Sequence, residues 1–474
     1  MTPMKKTLFS STLTPLIAAL LLAGCASTAT FTPAVAPAAP AAYKELPDGR
    51  WAKAEPAEAQ TRGRWWAVFA DPVLDDMVAR ADLGNTSVQL AGARLAQARA
   101  LLRSADADRL PQIGVAAGAS RGNLATPGVT TPVTVLSAGA SASWEPDLFG
   151  RLAKASSAAA LDAQSREALL QSARLVVQSD VAQSYFVLRA LDDERALVRE
   201  TVSAYRDTLR LTERRYAAGD VAELDLARVQ AEVASTESQA LSLDRRRAQL
   251  EHALAVLLGE LPSSFTLAEA PWGGALPSVP PGIPSTVLTR RPDVSAAQSA
   301  MLAAQARVGV AQAAWFPDVA LTANGGFAST DLGDLFKWSA RSWGVGALLS
   351  LPLFDGGRRA AGVQSANATW DAAAASYREQ VLVAFQDVED QLAALRLLSD
   401  QAGAQTQAVN AAARATVLSN SRYRNGLVSQ LELLDARRSE LTNRRQAVQV
   451  RAAQYQATVG LIRALGGGWE GQPS

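Results

Sequence analysis

Trp343-Gly344-Val345-Gly346-Ala347-Leu348-Leu349-Ser350-Leu351 alternates along its length: Trp343, Val345, Ala347, Leu349 and Leu351 point one way, and Ser342, Gly344, Gly346 and Ser350 the other. A period of two belongs to a β-strand, whose successive side chains face opposite sides of a sheet. Three more segments share the pattern. Gln112–Gly122 sets Ile113, Val115, Ala117 and Ala119 against Gly114, Gly118 and Ser120. Val135–Trp144 sets Leu136, Ala138, Ala140, Ala142 and Trp144 against Ser137, Gly139, Ser141 and Ser143. Val319, Leu321, Ala323 and Phe327 oppose Asp318, Thr322, Asn324 and Gly326. Each segment is about 10–11 residues, close to what a tilted strand needs to cross a bilayer. Apolar residues alternating with small or polar ones suit a barrel wall between lipid and water. Trp144 and Trp343 fall at strand ends, where interfacial rings prefer to sit. Half-buried hairpins of a soluble domain give the same alternation and are ordinarily the commoner case. Four strands cannot close a barrel, however, and lipid does not tolerate open edges. The spanning reading therefore requires oligomerisation, and three chains of four strands make a twelve-stranded barrel.

Outward from these segments the chain is a tandem duplication. Pro111 recurs as Pro317 at a separation of 206, Phe149 as Phe354 at 205, and Asp180 and Arg189 as Asp387 and Arg396 at 207. Arg215-Tyr216-Ala217-Ala218-Gly219 recurs as Arg422-Tyr423-Arg424-Asn425-Gly426, again at 207. Each half carries an Ala-rich helix stopped near a proline (about 87–108 and 294–314), two strands, and a very long helical stretch. From Arg151 to Tyr216 there is neither Pro nor Gly; the matching stretch, Arg359 to Tyr423, contains only Gly362 and Gly403. At about 1.5 Å per residue each stretch reaches near 100 Å. Its Ala-rich positions allow neighbouring helices to approach closely. Returning helices over 223–258 and 430–465 complete two antiparallel hairpins that turn at Gly219 and Gly426, residues suited to positive φ. The domain organisation read from this is a signal peptide at 1–24, a lipidated Cys with an extended tether at 25–43, and a first repeat at 44–260. A Pro/Gly-rich connector at 261–292, a second repeat at 293–466 and a tail at 467–474 follow.

The N-terminus carries Lys5 and Lys6, then a short apolar core, then Leu22-Ala23-Gly24-Cys25. The core is too short to span comfortably, and the last four residues match a bacterial lipobox at every position. Cys25 is thus expected to become the mature N-terminus, with acyl chains such as palmitate on its sulfur and amino group. Ala26, not Asp, follows it, which favours the outer membrane. Acyl chains hold a protein to a surface without crossing it.

Cys25 is the only Cys, which excludes an intrachain disulfide and a thiolate-clustered metal site. The only His, His252, argues against a zinc site and lies in an apolar helical run where core packing is expected. A net charge of +1 argues against nucleic acid as a partner, because phosphate neutralisation needs a clear excess of Lys and Arg. No cofactor beyond the covalent lipid is expected, and no nucleophile elbow, P-loop or dinucleotide fingerprint points to an enzyme.

Trp65-Trp66 with Phe69-x-Asp71-Pro72-x-Leu74, Trp144-Glu145-Pro146-Asp147-Leu148-Phe149-Gly150-Arg151, and Arg290-Arg291-Pro292-Asp293-Val294 with Phe316-Pro317 form a distinctive set. Leu353-Phe354-Asp355-Gly356-Gly357-Arg358 and Arg422-Tyr423-x-x-Gly426, followed by Leu431 and Asp435, complete it. Over about 44–466 the chain resembles the outer membrane factor family of TolC-like channels, in particular its lipidated, NodT-type efflux lipoproteins. Pro146 departs from the aliphatic residue many relatives carry there. The resemblance implies a homotrimer, mainly α with membrane β, whose twelve-stranded β-barrel continues into a long α-helical barrel through the periplasm. It implies docking with a periplasmic adaptor (membrane fusion) protein and an inner-membrane pump, and passive exit of drugs or other small molecules. The tips around Gly219 and Gly426, with Tyr216, Tyr423 and Arg422, would meet the adaptor, and Tyr423 and Arg422 would tie neighbouring hairpins. Leu431 and Asp435 match the rings that narrow the periplasmic aperture. Three carboxylates facing one axis would repel anions, and an apolar ring would restrict water. An exposed surface charge at Asp435 and hairpin packing at Leu431 are the plainer readings. A type I protein secretion channel is the nearest alternative, and a periplasmic coiled-coil structural lipoprotein a more distant one.

Overall fold

The structure, a computed structural model, describes residues 43–45, 63–122, 132–277, 279 and 290–467. The expected signal peptide, Cys25, most of the tether and the end of the tail fall outside those residues. The elements are α1 (Pro72–Gly84), α2 (Thr86–Ala107), β1 (Gln112–Gly122), β2 (Val133–Trp144), α3 (Arg151–Ala217) and α4 (Glu223–Leu258), then α5 (Pro292–Ala313), β3 (Asp318–Ser329), β4 (Arg341–Ser350), α6 (Arg358–Arg424) and α7 (Gln430–Ala464). The order helix, two strands, long helix, returning helix occurs twice. α3 and α6 are both 67 residues long, and α6 runs through Gly362 and Gly403 without a break. Two departures from the sequence reading stand out. α1, preceded by a short 3-10 turn at Trp65–Phe69, lies ahead of the first expected helix. β4 starts at Arg341, so Trp343 is its third residue and not its end.

The described residues divide into two compact units. One comprises residues 99–162 and 300–375 and holds the sheet, ordered β1-β2-β3-β4 and antiparallel throughout. Its strand-to-helix corners are fixed by carboxylates. Asp147 accepts from the backbone N–H groups of Leu152 (3.0 Å) and Ala153 (2.7 Å), satisfying donors that the start of α3 leaves open. Arg151 forks onto Glu145 at 2.8 and 2.7 Å. In the second repeat Asp355 accepts from Gly357 N–H at 3.0 Å and Arg359 N–H at 3.2 Å. Phe149 and Phe316 stack with centroids 4.9 Å apart.

The other unit, 37–98, 163–299 and 376–474 where described, carries the hairpins. Its core centres on Phe69, Tyr185, Phe186, Trp272 and Tyr455, with Phe69–Phe186, Phe186–Tyr455 and Trp272–Tyr455 centroids at 4.7, 4.8 and 4.5 Å. Such contacts add to the area these rings remove from water. Asp71 caps α1 through Val73 N–H (2.9 Å) and accepts from the Tyr185 hydroxyl (2.6 Å). Burial, then that bond to Asp71, push the Tyr185 phenol up to about 12. The connector crosses the helices as a strap held by its carbonyls. Arg247 donates to Leu267 O (2.5 Å), Arg189 to Ala268 O (2.7 Å), Arg451 to Trp272 O (2.9 Å) and Tyr455 to Gly274 O (2.6 Å). The duplication reaches individual contacts: the Asn85 side chain bonds Leu257 O at 2.8 Å, and Arg291 bonds Ala464 O at 3.3 Å.

Candidate functional site: an unclosed sheet and two hairpin tips

Cross-strand partners in a sheet point to the same side, so register decides whether the four alternating patterns agree. They do. Val115 pairs with Ala140, Ala140 with Gly325, and Gly325 with Trp343; Ile113, Ala142, Ala323 and Val345 form the next row. Leu136, Trp144, Val319 and Leu321 lie on this same face. The opposite face collects Gly114, Ser141, Asn324 and Gly344, with Val133, Val135 and Leu348 as apolar exceptions. Within one chain much of the apolar face is exposed, Val115 by 86% and Trp343 by 74%, while Leu136, Val319 and Leu321 are half-buried and Phe336 packs against Phe327. Among the described residues β1 and β4 each have only one neighbour, so both outer ladders are open there. Gly139 and Gly326 pair across β2 and β3, and a Cβ on Gly326 would lie 2.4 Å from Ala138 O. Trp144 ends β2 at the sheet end that leads into α3, its Nε1 donating to Arg109 O at 3.0 Å. Trp343 lies toward the other end, two residues inside β4 from Arg341, whose side chain lies over Trp338 at 4.1 Å. The two rings therefore lie toward opposite ends of the apolar face, with the Phe327–Arg341 row beyond Trp343. Among the described residues no helix is long and apolar enough to cross a membrane.

The hairpin tips repeat one another bond for bond. Gly219 N–H donates to Tyr216 O (2.9 Å) and Asp220 N–H to Arg215 O (2.8 Å); Gly426 N–H donates to Tyr423 O (3.0 Å) and Leu427 N–H to Arg422 O (2.9 Å). This double-bonded helix end needs a left-handed residue, and Gly219 and Gly426 supply φ of 80° and 71°. Tyr423 is partly buried and accepts from Arg215 at 3.1 Å. At the tips within one chain the bond between the halves is made by Arg215, and Arg422 is exposed. Leu431, 40% exposed, and Asp435 stand one turn apart on the same face of α7, both open to solvent within the single chain. Arg438 lies 3.6 Å from Asp435 and also pairs with Glu232 of α4. Sequence reasoning missed Arg438; its i,i+3 spacing from Asp435 was the available signal. It also expected His252 in the core, whereas the ring is exposed, because the apolar run packs through Leu254, Ala255 and Leu258.

A membrane-length sheet with one apolar face, attached to paired helices far longer than a globular core holds, defines an outer membrane channel subunit. The chain belongs to the outer membrane efflux protein family, whose model matches residues 78–260 and 283–467. It is 34% identical over 466 residues to the pyoverdine export outer membrane protein OpmQ of Pseudomonas aeruginosa, covering 96% of each chain. It is 32% identical over 410 residues to the cation efflux system protein CusC of Escherichia coli K12, covering 85% of this chain and 88% of that one. Among solved structures, a membrane protein from Pseudomonas aeruginosa superposes with a TM-score of 0.83 at 30% identity (91% and 98% covered). The outer membrane protein VceC of Vibrio cholerae gives 0.80 at 29% identity (86% and 99%).

Proposed function

We propose that three copies of this chain join their sheets into one twelve-stranded barrel, forming a passive exit duct for small molecules across the outer membrane. One observation carries this reading: a largely exposed apolar sheet face bounded by two strand edges that are unpaired among the described residues. Lipid satisfies the face, and only ring closure satisfies the edges. The α3–α4 and α6–α7 hairpins extend the duct, and their tips at Gly219 and Gly426 meet a periplasmic adaptor that couples the duct to an inner-membrane pump. Leu431 and Asp435 line the narrow end, and acyl chains on Cys25 anchor each copy. Relatives are named for pyoverdine, cations and toluene; that spread supports small-molecule efflux without selecting a cargo. The test is electrophoretic mobility of the membrane fraction with and without boiling, followed by planar-bilayer recording. A band that shifts on boiling, from protein that conducts ions, supports the duct; purified chain that stays monomeric in detergent overturns it.

A further inference from the structure

The bond between Arg215 and Tyr423 joins the two halves of one chain, and the duplication indicates what the other side of each half meets. From Asp180 to Gly259 the repeats align at a constant 207: Asp180 with Asp387, Arg189 with Arg396, Gly219 with Gly426 and Gly259 with Gly466. Under that alignment Arg215 corresponds to Arg422, and Tyr423 to Tyr216. The same two residue types therefore recur in exchanged roles. Arg215 and Tyr423 are partly buried against each other, while Arg422 and Tyr216 are exposed, Tyr216 by 42%. Neither of the latter has a side-chain partner in this chain among the described residues.

We infer that Arg422 of one chain donates to the Tyr216 hydroxyl of the next, so that every seam between copies repeats the tip bond found inside each copy. The inference rests on the ring assembly proposed above. In a head-to-tail ring the second half of one chain meets the first half of its neighbour, and duplicated backbones make that seam a near copy of the internal one. Four other polar ties of the internal seam do not keep their residue types under this alignment. Arg445–Glu194 (2.6 Å) aligns with Ser238 and Gln401, and Arg438–Glu232 with Ala231 and Ser439. Arg437 donating to Thr208 (2.9 Å) aligns with Gln230 and Ala415, and Gln430 donating to Thr212 (2.8 Å) with Glu223 and Ser419. Of these ties only the Arg–Tyr bond keeps both residue types. The seam between copies thus loses the Arg438–Glu232 and Arg445–Glu194 pairs and keeps the Arg–Tyr bond at its tip.

The test uses full-length protein purified from membranes, with Tyr216→Cys/Arg422→Cys compared with Arg215→Cys/Tyr423→Cys and with each single variant. An Arg–Tyr contact separates backbones by more than a disulfide spans, so a short bis-maleimide is the linker. Native mass before linking is measured on every sample. The expected result is that the first pair gives denatured bands at two and three times the chain mass, whereas the second stays at one. Trimeric material in which the first pair stays at one chain mass overturns this contact and leaves the ring standing. Material already monomeric before linking overturns the ring as well.

Discussion

Asp435 shares its surroundings with Arg438, 3.6 Å away, and Arg438 is itself held by Glu232. If these side chains line the narrow end, Asp435→Ala raises leak conductance in planar bilayers and weakens cation preference. Arg438→Ala leaves the carboxylate unopposed and moves the reversal potential toward cations. Unchanged conductance and selectivity in Asp435→Ala would remove it from the aperture. Asp82 has a different role. Burial raises its pKa above the ordinary carboxylate value, opposed by Gln178, which donates to both its oxygens at 3.0 and 3.1 Å, and by Arg174. Its folded pKa therefore exceeds the unfolded one. Its contribution to stability is fully present below the unfolded pKa and is lost as pH rises through the folded pKa. Asp82→Asn is expected to raise the melting temperature at neutral pH, with the gain vanishing near pH 3 (about a unit below the ordinary Asp value); melts across that range check it. Arg438 and Gln178 matter here through spatial neighbours that no motif in the sequence names.

At the scale of elements, most boundaries were legible because their causes are local. Gly219 and Gly426 end α3 and α6 by accepting left-handed backbone, so Gly219→Ala costs about 1 kcal/mol of local stability. Hydrogen exchange confined to the α3 end and the tip measures it. Asp147 caps α3 through two N–H groups, and Asp147→Ala costs about 0.5–2 kcal/mol; faster exchange in the first turn of α3 alone is the expected signature. The misses have local explanations too. α1 begins with an Asp71 cap and Pro72 at its first position, a start signal present in the sequence but read only as a family motif. β4 gains Arg341 because Phe327 of β3 offers it a ladder partner, and pairing extends a strand beyond its alternation.

For the whole molecule, the two faces of the sheet are predicted to respond oppositely to charge. Val345→Arg places a cation on the apolar face and costs about 2–4 kcal/mol if that face meets the bilayer midplane, whereas Ser141→Arg on the other face is tolerated. The yield of boiling-sensitive oligomer in membranes separates the two variants, and equal yields would remove the barrel.

The sequence by itself determined the two periods, the tandem repeat and the residues that open and close the long helices, since backbone geometry sets each of these over a few neighbouring positions. Only the tertiary structure decided that the four alternating patterns share one face, that Arg215 reaches Tyr423, that Arg438 stands between Asp435 and Glu232, and that His252 faces outward. A helical period says which side chains lie together on a face. What covers that face is set by strand register and by helices up to two hundred residues away, where a single position of slip exchanges one partner for another.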